Sequence, residues 1–327
     1  MVRAHHIPSM APGESTAFVD LTFTVEPNYA GWRLDRYLCE KIRRLSRQRV
    51  QRIIENDLIC ARKLKPSTLV TPGLTFTLRR KASLEPEVPA PDELKVLHRD
   101  DALLVLDKPA GLPIHPTARY HAGTLVSQLK ARGEDAYPAH RLDRETSGLL
   151  VCARTVEASR TLMHAFIGGE VHKEYLAICE GQPPDDTFHV EAPIAEGTEL
   201  IRIAVRIDHQ AGKPARTDFQ VERRFERGGE RFALLRCFPR TGRQHQIRIH
   251  LNHAGYPLVG DKMYGPDPGY FDRFSKHALE PEGWARLRLP RHALHAAKLS
   301  LEHPVSRAPL AFESPLPDDL AGFLAGA

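Results

Sequence analysis

The stretch "AHRLDRETSGLL", Ala139–Leu150, places His140, Arg141, Asp143, Arg144 and Glu145 within six residues. It then runs directly into the apolar "GLLVCA", Gly148–Ala153. Charge clusters ordinarily occupy helix faces or tails, whereas this one stands at the doorstep of a strand-like buried run. A carboxylate between arginines is held ionised, because neighbouring positive charge lowers its pKa. That suits a nucleophile or an electrostatic stabiliser, and it equally suits a structural Arg–Asp salt bridge at a strand start. The stretch alone leaves both readings open.

The 327 residues are enough for two domains and at least one sizeable core. With 42% hydrophobic and 27% charged residues, the composition is that of an ordinary soluble chain. No apolar run approaches the ~18 residues of a membrane span, so no transmembrane helix and no membrane partner are expected. Residues 1–18 lack an apolar signal core and are expected to form a flexible tail. Five cysteines without a CxxC pair argue against a disulfide framework and a structural zinc site. Reduced, mostly buried thiols and a cytoplasmic location are the expectation. The net charge of +5 is unevenly spread: Trp32–Arg80 holds thirteen Lys/Arg against four Asp/Glu, a local +9 that leaves −4 elsewhere. One segment is therefore built to meet a polyanion.

That segment begins with helical spacing. Leu34, Tyr37, Leu38, Ile42 and Leu45, then Val50, Ile53 and Ile54, recur every three or four residues. Ser46 is the expected cap of a second helix. Arg43, Arg44, Arg47, Arg49 and Arg52 fall on the opposite faces and are candidate contacts to that polyanion. Short strands broken by Pro66 and Pro72–Gly73 follow. These features predict a compact α/β unit over residues 19–83, then a proline-rich linker over 84–94. From 95 to 327 strands alternate with a few helices. The expected fold class is α+β, a mixed, largely antiparallel sheet flanked by helices.

Three further stretches carry chemistry. "PRTGRQHQIRIHLNHAGYPLVGDKMYG", Pro239–Gly265, crowds Arg243, His245, Arg248 and His250 onto a short helix after a Thr-Gly turn, a setting that favours anions. His245, His250 and His253 fall on different helix faces with no carboxylate between them, so no metal is expected. "KEYLAICEG" puts Tyr175 on a strand, where a phenol either stacks on a planar ligand or fills the core. "DKPAGLPIHP", with Lys108, fixes a Pro/Gly loop.

Together these stretches, with "GKPARTDF" and "LHAAKLSLEHP", resemble the RluA-type pseudouridine synthases over about residues 95–315. The N-terminal unit is similar to the ribosomal S-four type RNA-binding domain. The segment Pro268–Leu287 reads as a longer loop than the motifs require.

The resemblance implies an isomerase that converts uridine to pseudouridine in RNA, ribosomal or transfer, without metal or cofactor. It implies that Asp143 is catalytic, that Arg248 pairs with it, and that Tyr175 packs against the target base. Arg141 would take the space vacated by the flipped nucleotide. His140, Arg144, Lys108, Lys173, Arg243 and His245 are the remaining expected substrate contacts, and a monomer is expected. Two other classes stay open: an RNA-binding protein with an inactive synthase fold, and a glycosylase that would release free uracil.

Overall fold

The computed structural model describes residues 18–42, 47–81, 93–115, 123–197, 204–267 and 269–326. The chain divides into two compact units, Met1–Pro86 and Glu87–Ala327. The expected cap Ser46, Arg43 and Arg44, and the expected tail through residue 17, lie outside the described residues.

In the first unit, β1 (Phe18–Thr24), α1 (Leu34–Lys41), α2 (Arg47–Asn56), β2 (Leu58–Ile59) and β3 (Thr75–Lys81) form two helices on a three-stranded sheet of order β1-β3-β2. The apolar spacing of the sequence becomes its core: Leu34, Tyr37 and Leu38 of α1 meet Val50 and Ile54 of α2, Phe76 and Leu78 of β3. Asp35 is fully buried beside them and accepts from Arg33, Arg47 and Gln51. Those bonds, led by that from Arg33, hold its carboxyl far below the usual range.

The second unit contains β4 (Lys95–Arg99), β5 (Leu103–Lys108), α3 (Leu125–Ala131), β6 (Tyr137–Pro138), β7 (Ser147–Ala153) and α4 (Val156–Gly168). Then come β8 (His172–Glu180), β9 (Thr187–Glu191), β10 (Ile194–Glu196), β11 (Val205–Ile207), β12 (Arg216–Arg227), β13 (Glu230–Pro239) and α5 (Gln246–His253). The chain closes with α6 (Tyr270–Ser275), α7 (Pro281–Leu287), β14 (Leu294–Glu302), β15 (Pro309–Glu313) and α8 (Asp318–Ala325). The main sheet runs β4-β5-β7-β14-β8-β13-β12-β9, with β15 added to β14 and β6 to β7. Its described pairings are antiparallel except β7 with β14. Mixed and largely antiparallel, with helices on it, the fold is α+β.

The local signals explain the elements. Thr155 caps α4 by accepting from the Ala158 amide, and Gly169 ends it at φ 77°. All seven residues of β7 are buried, which is why its sequence reads as a continuous apolar run rather than an alternation. The parallel junction puts the two strands unusually close. At Gly148, φ is +106°, and a Cβ there would stand 2.2 Å from the Ala296 carbonyl oxygen. Only glycine permits that approach. The same register line continues from Gly148 and Ala296 to Tyr175 on β8 and Cys237 on β13. The charged loop before β7 is thereby carried to the middle of the sheet, beside Tyr175.

The Pro268–Leu287 segment departs from the expected loop, since it holds α6 and α7. Asp267 caps the Gly269 amide, Pro281 occupies the first turn of α7, and Phe274 packs edge-on against Trp284. The five cysteines are free, with Cys152, Cys179 and Cys237 buried. No helix among the described residues is long and apolar enough to cross a membrane.

Candidate active site

The loop of residues 139–146 has its back to the core and is tied down carbonyl by carbonyl. The Asp143 oxygen accepts from the Thr146 amide, that of Arg144 from the Gly111 amide and the Lys108 ammonium, and that of Glu145 from Arg291. Lys108 is 1% exposed and also donates to the carbonyls of Pro109 and Leu112. Burial pushes its ammonium down to about 7, against the pull of Asp143. The structure thus makes Lys108 a brace of the loop and does not bring it to the cleft.

Asp143 itself faces a cleft of about 860 Å³, large enough for a nucleoside and its flanking groups. Arg248, on α5, donates from Nη1 to Asp143 Oδ2 at 2.8 Å. The rest of its guanidinium is taken by Asp261, with Nε to Oδ2 at 2.7 Å and Nη2 to Oδ1 at 2.9 Å. Asp261 is fully buried and accepts the Met263 and Tyr264 amides as well. The Tyr264 ring lies 5.1 Å from the guanidinium carbon. One carboxylate therefore fixes the arginine, and the other is left half in the cleft, its side chain 17% exposed.

The electrostatics follow. Burial alone would raise the Asp143 carboxyl, but His245, Arg248 and His292 together with the Arg248 hydrogen bond bring it down to about 2. Burial holds His245 at about 4 and His292 at about 3, so both are neutral near pH 7 and Arg248 is then the operative cation. Tyr175 is half-buried, lines the cleft, and has its phenol pushed up by burial and by the Asp143 charge, so it stays protonated.

The remaining expected residues divide. His140, Arg141, Lys173, Arg243 and His245 line the cleft with Tyr175 and Arg248. His140 also stacks on Phe166 and accepts the Val151 amide, which burial supports by holding it at about 3. Arg144 lies 3.5 Å from Glu145 and is not part of the cleft lining. His250 is turned away, bonded to Thr217 and the Ala192 carbonyl, and Gln246 ties α5 to the Arg216 carbonyl and Thr217. Among the described residues no three His, Cys, Asp or Glu side chains are grouped to hold a metal. On α2, Arg47, Arg49 and Arg52 are exposed, and Arg47 also donates to Asp35.

Asp261 and Glu145 carry roles that the sequence motifs do not assign. Glu145 accepts the 3%-exposed Lys262 ammonium at 3.0 and 3.1 Å. The signal for both is the adjacent pair Asp261–Lys262 in an otherwise apolar, glycine-flanked stretch, since adjacent buried charges need partners elsewhere.

Residues 102–253 match the family model for RNA pseudouridylate synthase. The chain is 37% identical over 334 residues to ribosomal large subunit pseudouridine synthase D of Nitrosomonas europaea, covering 97% of this chain and 90% of the relative. It is 36% identical to the protein of that name from Pseudomonas aeruginosa, covering 90% and 91%. The solved structure of human RNA pseudouridylate synthase domain containing 1 matches at a TM-score of 0.55 and 27% identity, over 68% of this chain and 84% of that one. The chain belongs to the RNA pseudouridylate synthase family. It is an isomerase acting on RNA, and the cleft just described lies within the matched region apart from residues contributed by β14.

Replacing Arg248 by Met in this synthase leaves Asp143 and Asp261 buried without their cation. Stability at pH 7 is expected to fall by about 3–5 kcal/mol, the usual cost of breaking a buried pair from one side. In the wild type the depressed carboxyls contribute stability above their unfolded pKa of about 4, and this is lost only as pH falls toward 2. In the variant burial raises them, so protonation relieves the penalty and the gap to wild type narrows on acidification. Urea unfolding at a series of pH values between 7 and 3.5 measures this. A gap that stays constant would show that the arginine does not hold these carboxylates ionised.

Proposed function

We propose that the enzyme converts uridines of large-subunit ribosomal RNA to pseudouridine, with Asp143 as its reacting carboxylate. The observation that carries this is an ionised aspartate open to a nucleoside-sized cleft and backed by a buried, immobilised arginine. The choice of RNA rests on the relatives named for the large ribosomal subunit.

The target uridine leaves its stack to reach Asp143, and unstacking costs a few kcal/mol. Arg141, exposed at the mouth of the cleft, takes the vacated space, and Tyr175 packs on the base. The bond between N1 and C1′ breaks and its electron pair stays on the uracil. Asp143 either bonds to C1′ or takes a proton from C2′. The uracil turns within the cleft and C5 joins C1′, as the Asp143–C1′ bond breaks and its electron pair returns to the carboxylate, or as Asp143 gives its proton back to C2′. The C5 proton is then lost while N1 regains one. Atoms and charge balance without an oxidant, a phosphate donor or a metal. A walled cleft matters because the free base must not escape between the two bond changes. The N-terminal unit serves as an S-four-like grip on the RNA through exposed Arg49 and Arg52, and five free thiols fit a reducing cytoplasm.

Purified enzyme incubated with unmodified transcripts of large-subunit ribosomal RNA is expected to form pseudouridine at one or a few sites. Asp143→Asn is expected to bind the same transcripts without forming product. Turnover by that variant above a few per cent of wild type would remove the aspartate from the chemistry, and product only in a transfer RNA transcript would overturn the target.

Arg49→Ala combined with Arg52→Ala is expected to weaken RNA binding. The slope of log affinity against log salt should fall by about 1 for each phosphate these arginines neutralise. An unchanged slope would mean that α2 does not grip RNA.

A further inference from the structure

His245 is held in an unusual way. It precedes α5 with φ 52° and ψ 22°, a left-handed conformation that a non-glycine residue adopts at some cost and that is often found where function demands it. Its Nδ1 lies 2.9 Å from the Tyr264 hydroxyl oxygen, and its Nε2 lies 3.5 Å from Asp143 Oδ1. The Tyr264 oxygen already accepts the Val205 amide at 2.7 Å. The facing Asp143 carboxylate selects the tautomer: with the ring hydrogen on Nε2, Nδ1 accepts the Tyr264 hydroxyl hydrogen. The alternative tautomer would aim a lone pair at the Asp143 carboxylate, an arrangement of two acceptors that repels. At 3.5 Å the Nε2–H is oriented toward Asp143 without being bound tightly to it.

We propose that His245 is a catalytic hydrogen-bond donor whose Nε2–H passes from the Asp143 carboxylate to the departing uracil as negative charge moves between them. This rests on the reading of Asp143 as the reacting group. When the N1–C1′ bond breaks, the charge of Asp143 is consumed, by bonding to C1′ or by taking the C2′ proton, and an equal charge appears on the uracil. A donor already in place at the carboxylate's edge stabilises that new charge without reorganising. Arg248 is poorly suited to follow the charge, because Asp261 grips two of its three nitrogens.

A neutral donor also suits the first step. An imidazolium facing Asp143 would quench the reactive anion, and the groups around the ring act against it. Burial dominates and, with Arg248 and Arg141, outweighs the pull of Asp143 and Asp261, so that His245 sits at about 4. Tyr264, the other group against the ring, stays protonated because burial raises its phenol. No proton transfer by His245 is required. Its Nε2–H faces the Asp143 carboxylate before the bond change, donates to the uracil after it, and the ring keeps its proton throughout.

Two substitutions separate this role from a base or a packing role. Glutamine places an amide N–H near the position of Nε2, whereas asparagine places one near Nδ1 and tolerates the left-handed backbone. His245→Asn is expected to lower kcat about 10²–10³-fold, the usual effect of removing one such donor, with KM changed less than about threefold. His245→Gln is expected to stay within about tenfold of wild type. Equal losses in the two variants would overturn the proposal, because a base or a packing role is not rescued by an amide at one position. Wild-type activity in both would overturn it as well. The ¹⁵N shifts of His245 in the folded wild type at pH 7 provide a measurement that needs no variant: the Nε2–H tautomer supports the proposal, and the Nδ1–H tautomer contradicts it. Asp143→Asn in the same assay distinguishes the two readings. If that variant turns over, the aspartate reading fails. If it is inactive while His245→Asn is fully active, only the histidine proposal fails.

Discussion

The site depends on one guanidinium shared by two carboxylates of unequal standing. Asp261 is sealed in the interior and takes Nε and Nη2 of Arg248, with two backbone amides completing its shell. Asp143 takes Nη1 alone and keeps an open side. A lone Arg–Asp pair would leave the arginine free to swing with its partner. With Asp261 as the anchor, the positive charge is fixed in place and the Asp143 oxygen is positioned against it. The two negative charges are tolerable in the interior because the arginine and the amides around Asp261 compensate them; burial raises a carboxyl only when such partners are missing.

Fixing the arginine would achieve little if the aspartate could move. The loop before β7 is held from behind by Lys108, Arg291 and the Glu145–Lys262 pair, which α6 and α7 cover with Phe274 and Trp284 at 4.8 and 5.6 Å from the ammonium. The close parallel contact at Gly148 sets the same loop beside β14 and so beside Tyr175. The sheet, the loop braces and the arginine anchor thus converge on one carboxylate. That arrangement is what preorganisation demands: the reacting group is placed before substrate arrives, at the expense of burying several charges.

Much of this is legible in the sequence. The burial of β7 follows from its unbroken apolar run, and the clustering of charge before it marks Asp143. The spacing of His245, His250 and His253 separates them, as the structure shows His250 turned toward Thr217. What is not legible depends on closure through space. Asp261 is one carboxylate in a glycine-flanked turn; its neighbour Lys262 signals that it needs a partner, but nothing local names Arg248 as that partner. Lys108 stands beside a Pro/Gly loop and reads as a substrate contact, yet it ends a strand whose register partner is Gly148, deep in the sheet. Arg47 belongs to a basic stripe by periodicity and stays exposed, yet a buried acid one helix away takes its guanidinium nitrogen as a partner. The α6–α7 segment reads as a loop because each helix is barely two turns long, too short for apolar periodicity to register.

Everything at this site requires Asp143 to be an anion in the folded enzyme at every pH where the enzyme works. Its carboxyl ¹³C resonance, assigned by difference against Asp143→Asn, reports protonation directly. The resonance is expected not to titrate between pH 8 and pH 4, consistent with a carboxyl held at about 2. A titration midpoint at pH 5 or above would contradict this, since burial would then outweigh Arg248 and the cleft would hold a neutral acid.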